Sequence, residues 1–289
     1  MIEVKDATSF IQRYEAIYKK KVYRFPFVVS DNKEVALLMT KCGKSYVSLP
    51  YLSQGIIETL PQKYDFPFLS KHWQIRDSEP HSKYVYTQKV NFEIDLRINY
   101  NYTSPIRRKI RKALKSKINI HYGKSQKLID DFYTIYTKRM HQLGVPPVSK
   151  TLIKHKVKED YTLLFVAYKG TKPIGAASLD KITRTYFENN LMATLPSFNK
   201  YYTSYLLHHF MITYSKSQEA QTYSFGRSTK ESQVYAYKKH YKAKEIPLYW
   251  SFSHKKTLIH SHKILFSLWK LLPYKLSNLI GGFFHKRIY

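Results

Sequence analysis

The stretch Phe225-Gly226-Arg227-Ser228-Thr229 sets a glycine and then polar side chains at the end of a short predicted strand, where a rigid scaffold meets an open loop and site residues collect. Gly226 permits close approach of a substrate. Arg227 offers a planar fork for a phosphate or carboxylate; the plainer reading is an ion pair that fixes the strand-to-helix corner. Glu188, in Tyr186-Phe187-Glu188-Asn189-Asn190, is a carboxylate on a predicted central strand. Burial there would raise its pKa towards that of a general base, although most glutamates so placed point to solvent. Lys238, within Lys238-Lys239-His240-Tyr241-Lys242, reads from composition as an ordinary surface lysine. His208 and His209 are adjacent on a predicted helix and point to different faces, with no third ligand spaced to join them. Both are read as structural, and no metal is expected.

A second concentration of chemistry lies at Ser104 to Lys117. Serine can cap a helix and proline occupies its first turn, and Ile106, Ile110, Ala113 and Leu114 share one face. The other faces carry seven basic side chains and no acidic one, so pairs three or four residues apart cannot neutralise them. Arg107, Arg108, Arg111, Lys112 and Lys115 are therefore candidates for a polyanion, since guanidinium forks bind phosphates bidentately and contact releases condensed counterions. The alternative is a merely solvated face.

The elements that must position these groups follow an α/β order. A helix is predicted around 9–19, strands over 25–30 and 35–40 with a polar turn at Asp31-Asn32-Lys33, and an alternating strand over 84–96. Beyond the basic helix come helices at 126–143 and 150–158, then strands at 163–168, 174–180 and 183–192, the first two joined by a hairpin turn at Gly170-Thr171-Lys172. A helix at 202–214, a short strand ending at Phe225, a helix over 232–241 and a last strand over 247–252 complete a mixed sheet. The expected division is an N-terminal module over 1–103, a basic linker helix and strand over 104–125, a second module over 126–255 and an amphipathic tail over 256–289.

With 289 residues, 43% hydrophobic and 16% aromatic, the chain is a folded protein rather than a disordered one. Lys and Arg number 49 against 20 Asp and Glu, a formal charge of +29, whose field attracts RNA, anionic headgroups or phosphorylated precursors. A lysine-rich proteome would give the same total. The 27 tyrosines imply nothing specific. Cys42 is the single cysteine, which excludes an intrachain disulfide and a cysteine metal cluster and suits a reducing cytoplasm. Charges in Met1-Ile2-Glu3-Val4-Lys5-Asp6 give no export signal, so the mature protein is expected to begin there. In the tail, Lys270, Pro273 and Lys275 interrupt the apolar run, so it is not read as transmembrane. Trp269 and Tyr274 with His262, Lys263, Lys286 and Arg287 suit either an anionic headgroup layer or a helix docked on the core.

Several strings, in order, resemble the FemAB-like double-GNAT proteins of bacterial cell-wall and exopolysaccharide gene sets. They are Val47-Ser48-Leu49-Pro50-Tyr51-Leu52, the basic Ile106-Arg107-Arg108-Lys109-Ile110-Arg111-Lys112-Ala113, Arg139-Met140-His141-Gln142-Leu143-Gly144-Val145-Pro146, and Phe225-Gly226-Arg227-Ser228-Thr229 followed by Tyr235-Ala236-Tyr237-Lys238 and Pro247-Leu248. The ending Trp269-Lys270-Leu271-Leu272-Pro273 is similar too. Gln233 stands where a glycine is common, Tyr237 where phenylalanine is usual, and Tyr241-Lys242 in place of a frequent Trp-Gly pair, so the backbone after the loop is expected to differ.

The resemblance implies two tandem GNAT-like domains with a C-terminal amphipathic helix, and an acyl or aminoacyl transferase acting on an amine of a cell-envelope precursor or polysaccharide. Such chemistry needs a deprotonated amine, an activated acyl donor and groups that stabilise the oxyanion. Lys238 matches the family's Phe-Lys lysine and becomes the oxyanion or leaving-group stabiliser, with Glu188 the candidate base. Gly226, Arg227, Ser228, Tyr235 and Tyr237 are the candidate substrate contacts. A CoA-dependent enzyme of this superfamily normally carries a glycine-rich pyrophosphate loop; Pro196-Ser197-Phe198-Asn199-Lys200-Tyr201-Tyr202 has no glycine. No tightly bound cofactor is therefore expected, and the donor is read as aminoacyl-tRNA, with acyl-CoA the alternative. The other partners read are a membrane-linked or nucleotide-linked envelope precursor and an anionic membrane surface, with the protein cytoplasmic or on the inner face of the membrane. The rival readings are a non-catalytic adaptor of the same fold and an atypical CoA-dependent N-acetyltransferase.

Overall fold

The computed structural model describes residues 1–29, 33–59, 72–255 and 262–288. In chain order, the first part comprises β1 (Ile2–Val4), α1 (Ala7–Tyr18), β2 (Val22–Val28), β3 (Glu34–Cys42), β4 (Ser45–Val47), β5 (Ile56–Glu58), β6 (Trp73–Asp77) and β7 (Tyr84–Asp95). The basic α2 (Ser104–Lys115) and β8 (Ile118–Gly123) lead into α3 (Gln126–Leu143), α4 (Lys150–Lys158), β9 (Thr162–Lys169), β10 (Lys172–Lys181) and β11 (Tyr186–Thr194). A 3₁₀ turn at Pro196–Tyr201 precedes α5 (Thr203–Ser217), β12 (Thr222–Ser224), β13 (Ser228–Thr229), α6 (Gln233–Lys239) and β14 (Lys244–Phe252). The tail folds as α7 (His262–Leu271) and α8 (Tyr274–Ile288).

Local chemistry accounts for most boundaries. Side-chain oxygens of Asp6, Ser125, Ser149 and Ser232 accept from the amides of Ser9, Leu128, Leu152 and Tyr235, capping α1, α3, α4 and α6. Gly144, at φ +76°, ends α3. The expected hairpin forms, Lys169 facing Lys172 across Gly170-Thr171. The first strand lies three residues earlier than its hydrophobicity suggests, over Val22–Val28, because it takes its register from β3, where Val22 pairs with Thr40 and Phe27 with Val35. Residues 31 and 32 of the expected turn lie outside the described residues. On α2, Ile106, Ile110 and Ala113 are buried but Leu114 is about half exposed, so the apolar face is narrower than expected.

One mixed sheet of 14 strands runs through the molecule in the order β1-β5-β3-β4-β6-β14-β7-β12-β11-β10-β9-β8. Its middle is an interlock. The late strand β14 lies between β6 and β7, Trp250 facing both Arg76 and Tyr86, while the last three residues of the early strand β7 pair with β12, Glu93 facing Ser224. Core residues follow suit: Phe10, Tyr14 and Ile17 of α1 pack in one cluster with Tyr161, Ile182 and Tyr186 from the second half of the chain. The face of β9 to β11 that carries Leu164, Val166 and Ala176 is covered by α3 and α4, and the other, with Phe165, Ala177 and Leu179, by α2 and α5.

The tail differs from the single helix expected. It breaks at Pro273, whose ring removes a backbone donor, and both pieces pack on α3. Tyr274 Oη lies 2.7 Å from Thr137 Oγ1, and His141 Nε2 lies 2.8 Å from the Leu272 carbonyl. The side chains of His262, Lys263, Lys286 and Arg287 lie outside the described residues. Among the described residues no helix is long and apolar enough to cross a membrane.

Candidate active site

The parallel pair β11–β12 runs Tyr186 to Thr222, Phe187 to Tyr223 and Glu188 to Ser224, and stops. Strand β11 continues alone on that side to Thr194, while the chain after Ser224 turns away through Gly226. The register of β10 against β11 slips between Ser178 and Leu179 and leaves Asn190 as an extra residue, a bulge that re-aims side chains; Asn190 Nδ2 donates to the Tyr51 carbonyl at 3.3 Å. The space so opened is a cleft of about 770 Å³, walled by β11 from Glu188 to Thr194, the start of α5, the face of α6 with Val234, Tyr237 and Lys238, and Tyr51 and Ser53 from the first half of the chain.

Gly226 sits at the hinge of this opening. Its φ is +71°, and a Cβ there would lie 2.5 Å from the Asn189 carbonyl oxygen. The expected close approach is thus made by the protein's own backbone, and the glycine is required whatever binds.

Lys238 is buried, which overturns the surface reading of its basic run. Its Nζ donates to the Gly226 carbonyl at 2.6 Å and more weakly to the Arg227 carbonyl at 3.4 Å. The turn that follows α6, in which the Tyr241 amide donates to the Lys238 carbonyl at 3.0 Å, buries Tyr241 completely, and Lys238, three residues earlier, is drawn inward beside it. Burial draws its pKa down to about 7, Glu188 opposing the shift and Arg227 adding to it.

Glu188 is also buried, and burial pushes its pKa up to about 7 against the hydrogen bond from Ser53 and the charge of Arg227. Ser53 Oγ donates to Oε1 at 2.9 Å and itself accepts from the Arg227 amide at 3.2 Å. Ser224 Oγ lies 3.1 Å from Oε2 and 3.0 Å from Asn91 Oδ1, and it accepts from the Gly226 amide at 3.0 Å. A hydroxyl has one proton. When it points to Asn91, a protonated Glu188 supplies the missing donor, so the network suits both charge states. A hydrogen-bond chain thereby joins Glu188 through Ser224 to the amide of Gly226, whose carbonyl holds Lys238.

The other candidates divide. Arg227 lines the cleft, Nη1 donating to the Leu52 carbonyl at 3.2 Å and the guanidinium 5.8 Å from the centre of the Trp250 ring. Tyr237 lines it too, with its hydroxyl 3.0 Å from that of Tyr241. Ser228 and Tyr235 are not among its walls. Ser228 is committed to β13, paired with Val90 of β7, and Tyr235 lays its ring on Phe92 and donates to Glu245 at 3.0 Å. His208 lies 2.7 Å through Nδ1 from Tyr223 Oη, with burial and Lys238 holding its pKa well below normal, and His209 lies 3.2 Å from Tyr102 Oη, so the two histidines have separate environments. Among the described residues no cluster of His, Cys, Asp and Glu could hold a metal.

Apart from Lys109, the basic residues of α2 are exposed, and Arg108, Arg111, Lys112 and Lys115 border a shallow groove with Ser104 and Pro105. Arg107 turns aside, donating to the Tyr102 carbonyl at 2.6 Å and to Ser104 Oγ at 2.9 Å. Among the cleft residues that the sequence reading did not select are Lys109 and Ser53. Lys109 reaches in from α2, 2.8 Å from Tyr205 Oη; its position three after Ile106 and four before Ala113, both buried, was the available signal. Ser53 stands one residue beyond the Val47–Leu52 string and had none. The glycine-free 196–202 segment forms the 3₁₀ turn, Tyr202 adopts φ +55°, and α5 begins at the cleft with no side-chain cap.

No family model and no curated protein matches the chain in sequence. Solved structures do match it. The C-terminal domain of a putative lysylphosphatidylglycerol synthetase from Agrobacterium fabrum superposes with a TM-score of 0.59 at 9% identity, over 85% of this chain and 87% of that one. FemX superposes with 0.56 at 10% identity, over 95% and 93%. L-PGS from Bacillus licheniformis gives 0.53 at 10%, over 91% and 93%. The chain therefore shares its fold with FemX and with the two lysylphosphatidylglycerol synthetase structures over nearly its whole length.

Proposed function

We propose that this chain is an acyl or aminoacyl transferase that forms an amide between a carried acyl group and an amine of a cell-envelope precursor. The observation that carries the reading is the pairing of Lys238 and Glu188, two buried groups of opposite type with pKa values drawn to about 7, in one cleft large enough for an acyl carrier's end. Perturbed pairs of this kind in a cleft are typical of sites that move protons. The fold shared with FemX and the L-PGS structures supports it as an analogy of scaffold.

In the proposed step the amine nitrogen attacks the carrier's ester carbonyl. Glu188, as carboxylate, takes the amine proton. Lys238, with one proton spent on the Gly226 carbonyl, turns another to the oxygen that gains negative charge. The C–N bond forms, the C–O bond to the carrier breaks, and the proton on Glu188 passes to the leaving oxygen. Arg227 and Lys109 supply positive charge at the cleft for a phosphate or carboxylate of either substrate.

For the donor, the groove of Arg108, Arg111, Lys112 and Lys115 lies on the same helix that sends Lys109 into the cleft. This favours a polyanion too long to fit inside, as in aminoacyl-tRNA. A CoA ester is the second reading, favoured by the uncapped amides at the start of α5 and by Thr203 Oγ1, buried with no hydrogen-bond partner among the described residues. Purified protein offered aminoacyl-tRNA and acetyl-CoA with amine acceptors tests both. Transfer from neither donor, or a Lys238→Met protein as active as wild type, would sink the proposal; binding of the polyanion without transfer would leave the adaptor.

A further inference from the structure

Helix α8 is packed inside out. The face it lays on α3 and the turn at 147–149 carries Tyr274, Ser277 and Gly281, at i, i+3 and i+7. Tyr274 Oη meets Thr137, Ser277 is buried, and a side chain on Gly281 would run into Pro147. The opposite face, at the same spacing, carries Leu276, Leu279 and Phe283, of which Leu279 is 81% and Phe283 56% exposed. A helix serving only its own core does the reverse. On α7, Leu268 and Leu271 are exposed as well, at 55% and 80%. Large apolar side chains grouped in this way mark an interaction surface.

Charge selects the occupant. Residues 256–289 include Lys256, Lys263, Lys270, Lys275, Lys286 and Arg287 and no acidic residue, and Lys270 and Lys275 are exposed beside the leucines. A second copy meeting this face would set lysines against lysines with no carboxylate between them. An anionic lipid surface satisfies both halves of the pattern, since apolar side chains sink to the acyl boundary while the ammonium groups stay among the phosphates.

We propose that the outward face of α7 and α8 is a docking surface for an anionic lipid bilayer. The contact is mechanically tied to the cleft: His141 of α3 meets the Leu272 carbonyl between the two tail helices, and Arg139 and Leu143, two residues to either side on α3, line the cleft. Resting on the acyltransferase reading, this places the cleft rim at the lipid surface and points to an acceptor amine carried by a membrane lipid.

The test is flotation of the full chain with vesicles of phosphatidylcholine, with and without phosphatidylglycerol. Wild type is expected to float with the anionic vesicles, and Leu271→Ser/Leu279→Ser/Phe283→Ser to bind them about tenfold or more weaker with an unchanged thermal melt, because these side chains leave the core untouched. Lys270→Gln/Lys275→Gln should weaken the anionic preference alone. Equal flotation of the triple variant, equal flotation with neutral vesicles, or a wild-type dimer that the triple variant dissolves in sedimentation would each overturn the proposal. Lys238→Met should float as wild type does, so a failed transferase reading leaves this result standing. Triple-variant transfer to a vesicle-borne amine as fast as wild type's would overturn the acceptor assignment.

Discussion

Ser53 Oγ donates to Glu188 Oε1 at 2.9 Å across 135 positions of sequence. The serine follows β4 in the first half of the sheet and the glutamate lies on β11 in the second, so this hydrogen bond exists only because the two halves are locked together at β7 and β14. It opposes the effect of burial on Glu188 and ties the carboxyl to the loop that holds Lys238.

The proposed step needs Glu188 ionised and Lys238 protonated, and both have pKa values of about 7. The kcat/KM profile is expected to be a narrow bell centred near pH 7, its limbs belonging to the coupled pair. Glu188→Gln should remove the acid limb and lower the rate by roughly 10²- to 10⁴-fold. A profile flat from pH 6 to 8 would disprove the assignment.

Ser53→Ala removes a donor that favours the charged carboxylate, so the Glu188 pKa should rise and the acid limb move upward, by roughly one unit. The basic limb, set by Lys238, should stay near its place. Measuring both limbs separates this from general damage to the fold, which would lower the plateau without moving one limb.

Lys238→Met should stabilise the protein while abolishing transfer. The unfolded lysine titrates at 10.5 and the folded one at about 7, so the folded state is penalised as pH falls from 10.5 to about 7 and equally at every lower pH. The gain in Tm should therefore be largest at pH 7 and below and vanish towards pH 10.5. A gain independent of pH would show that the ammonium is not desolvated.

Gly226→Ala forces a Cβ to within 2.5 Å of the Asn189 carbonyl at a φ of +71°. A loss of about 1–3 kcal/mol in denaturant unfolding is expected, together with a lower kcat, because the carbonyl that holds Lys238 must move.

Neutralising Arg108, Arg111, Lys112 and Lys115 to glutamine should raise KM for a polyanionic donor with little change in kcat. The slope of log affinity against log salt should become shallower by about one for each phosphate contact removed. An unchanged slope would mean that the groove is merely solvated.

Within a few residues, the sequence already determined the Gly170 hairpin, most of the buried stripe of α2, the α/β order and the Phe225-to-Ser228 corner, because turns and periodicity are short-range chemistry. The serine expected to cap α2, Ser104, is instead its first residue, with Thr103 at the cap and no side-chain bond there. The sequence was silent on which face each polar residue would take. Ser228 and Tyr235 looked like site residues and are claimed by β7 and β14, whereas Lys238 looked solvated and is buried. Tertiary structure alone decided that Ser53 meets Glu188, that β14 lies between β6 and β7, and that the tail turns its leucines outward. Burial and the pKa shifts that follow from it are sums over contacts from distant parts of the chain, and no local pattern records which distant segment will arrive.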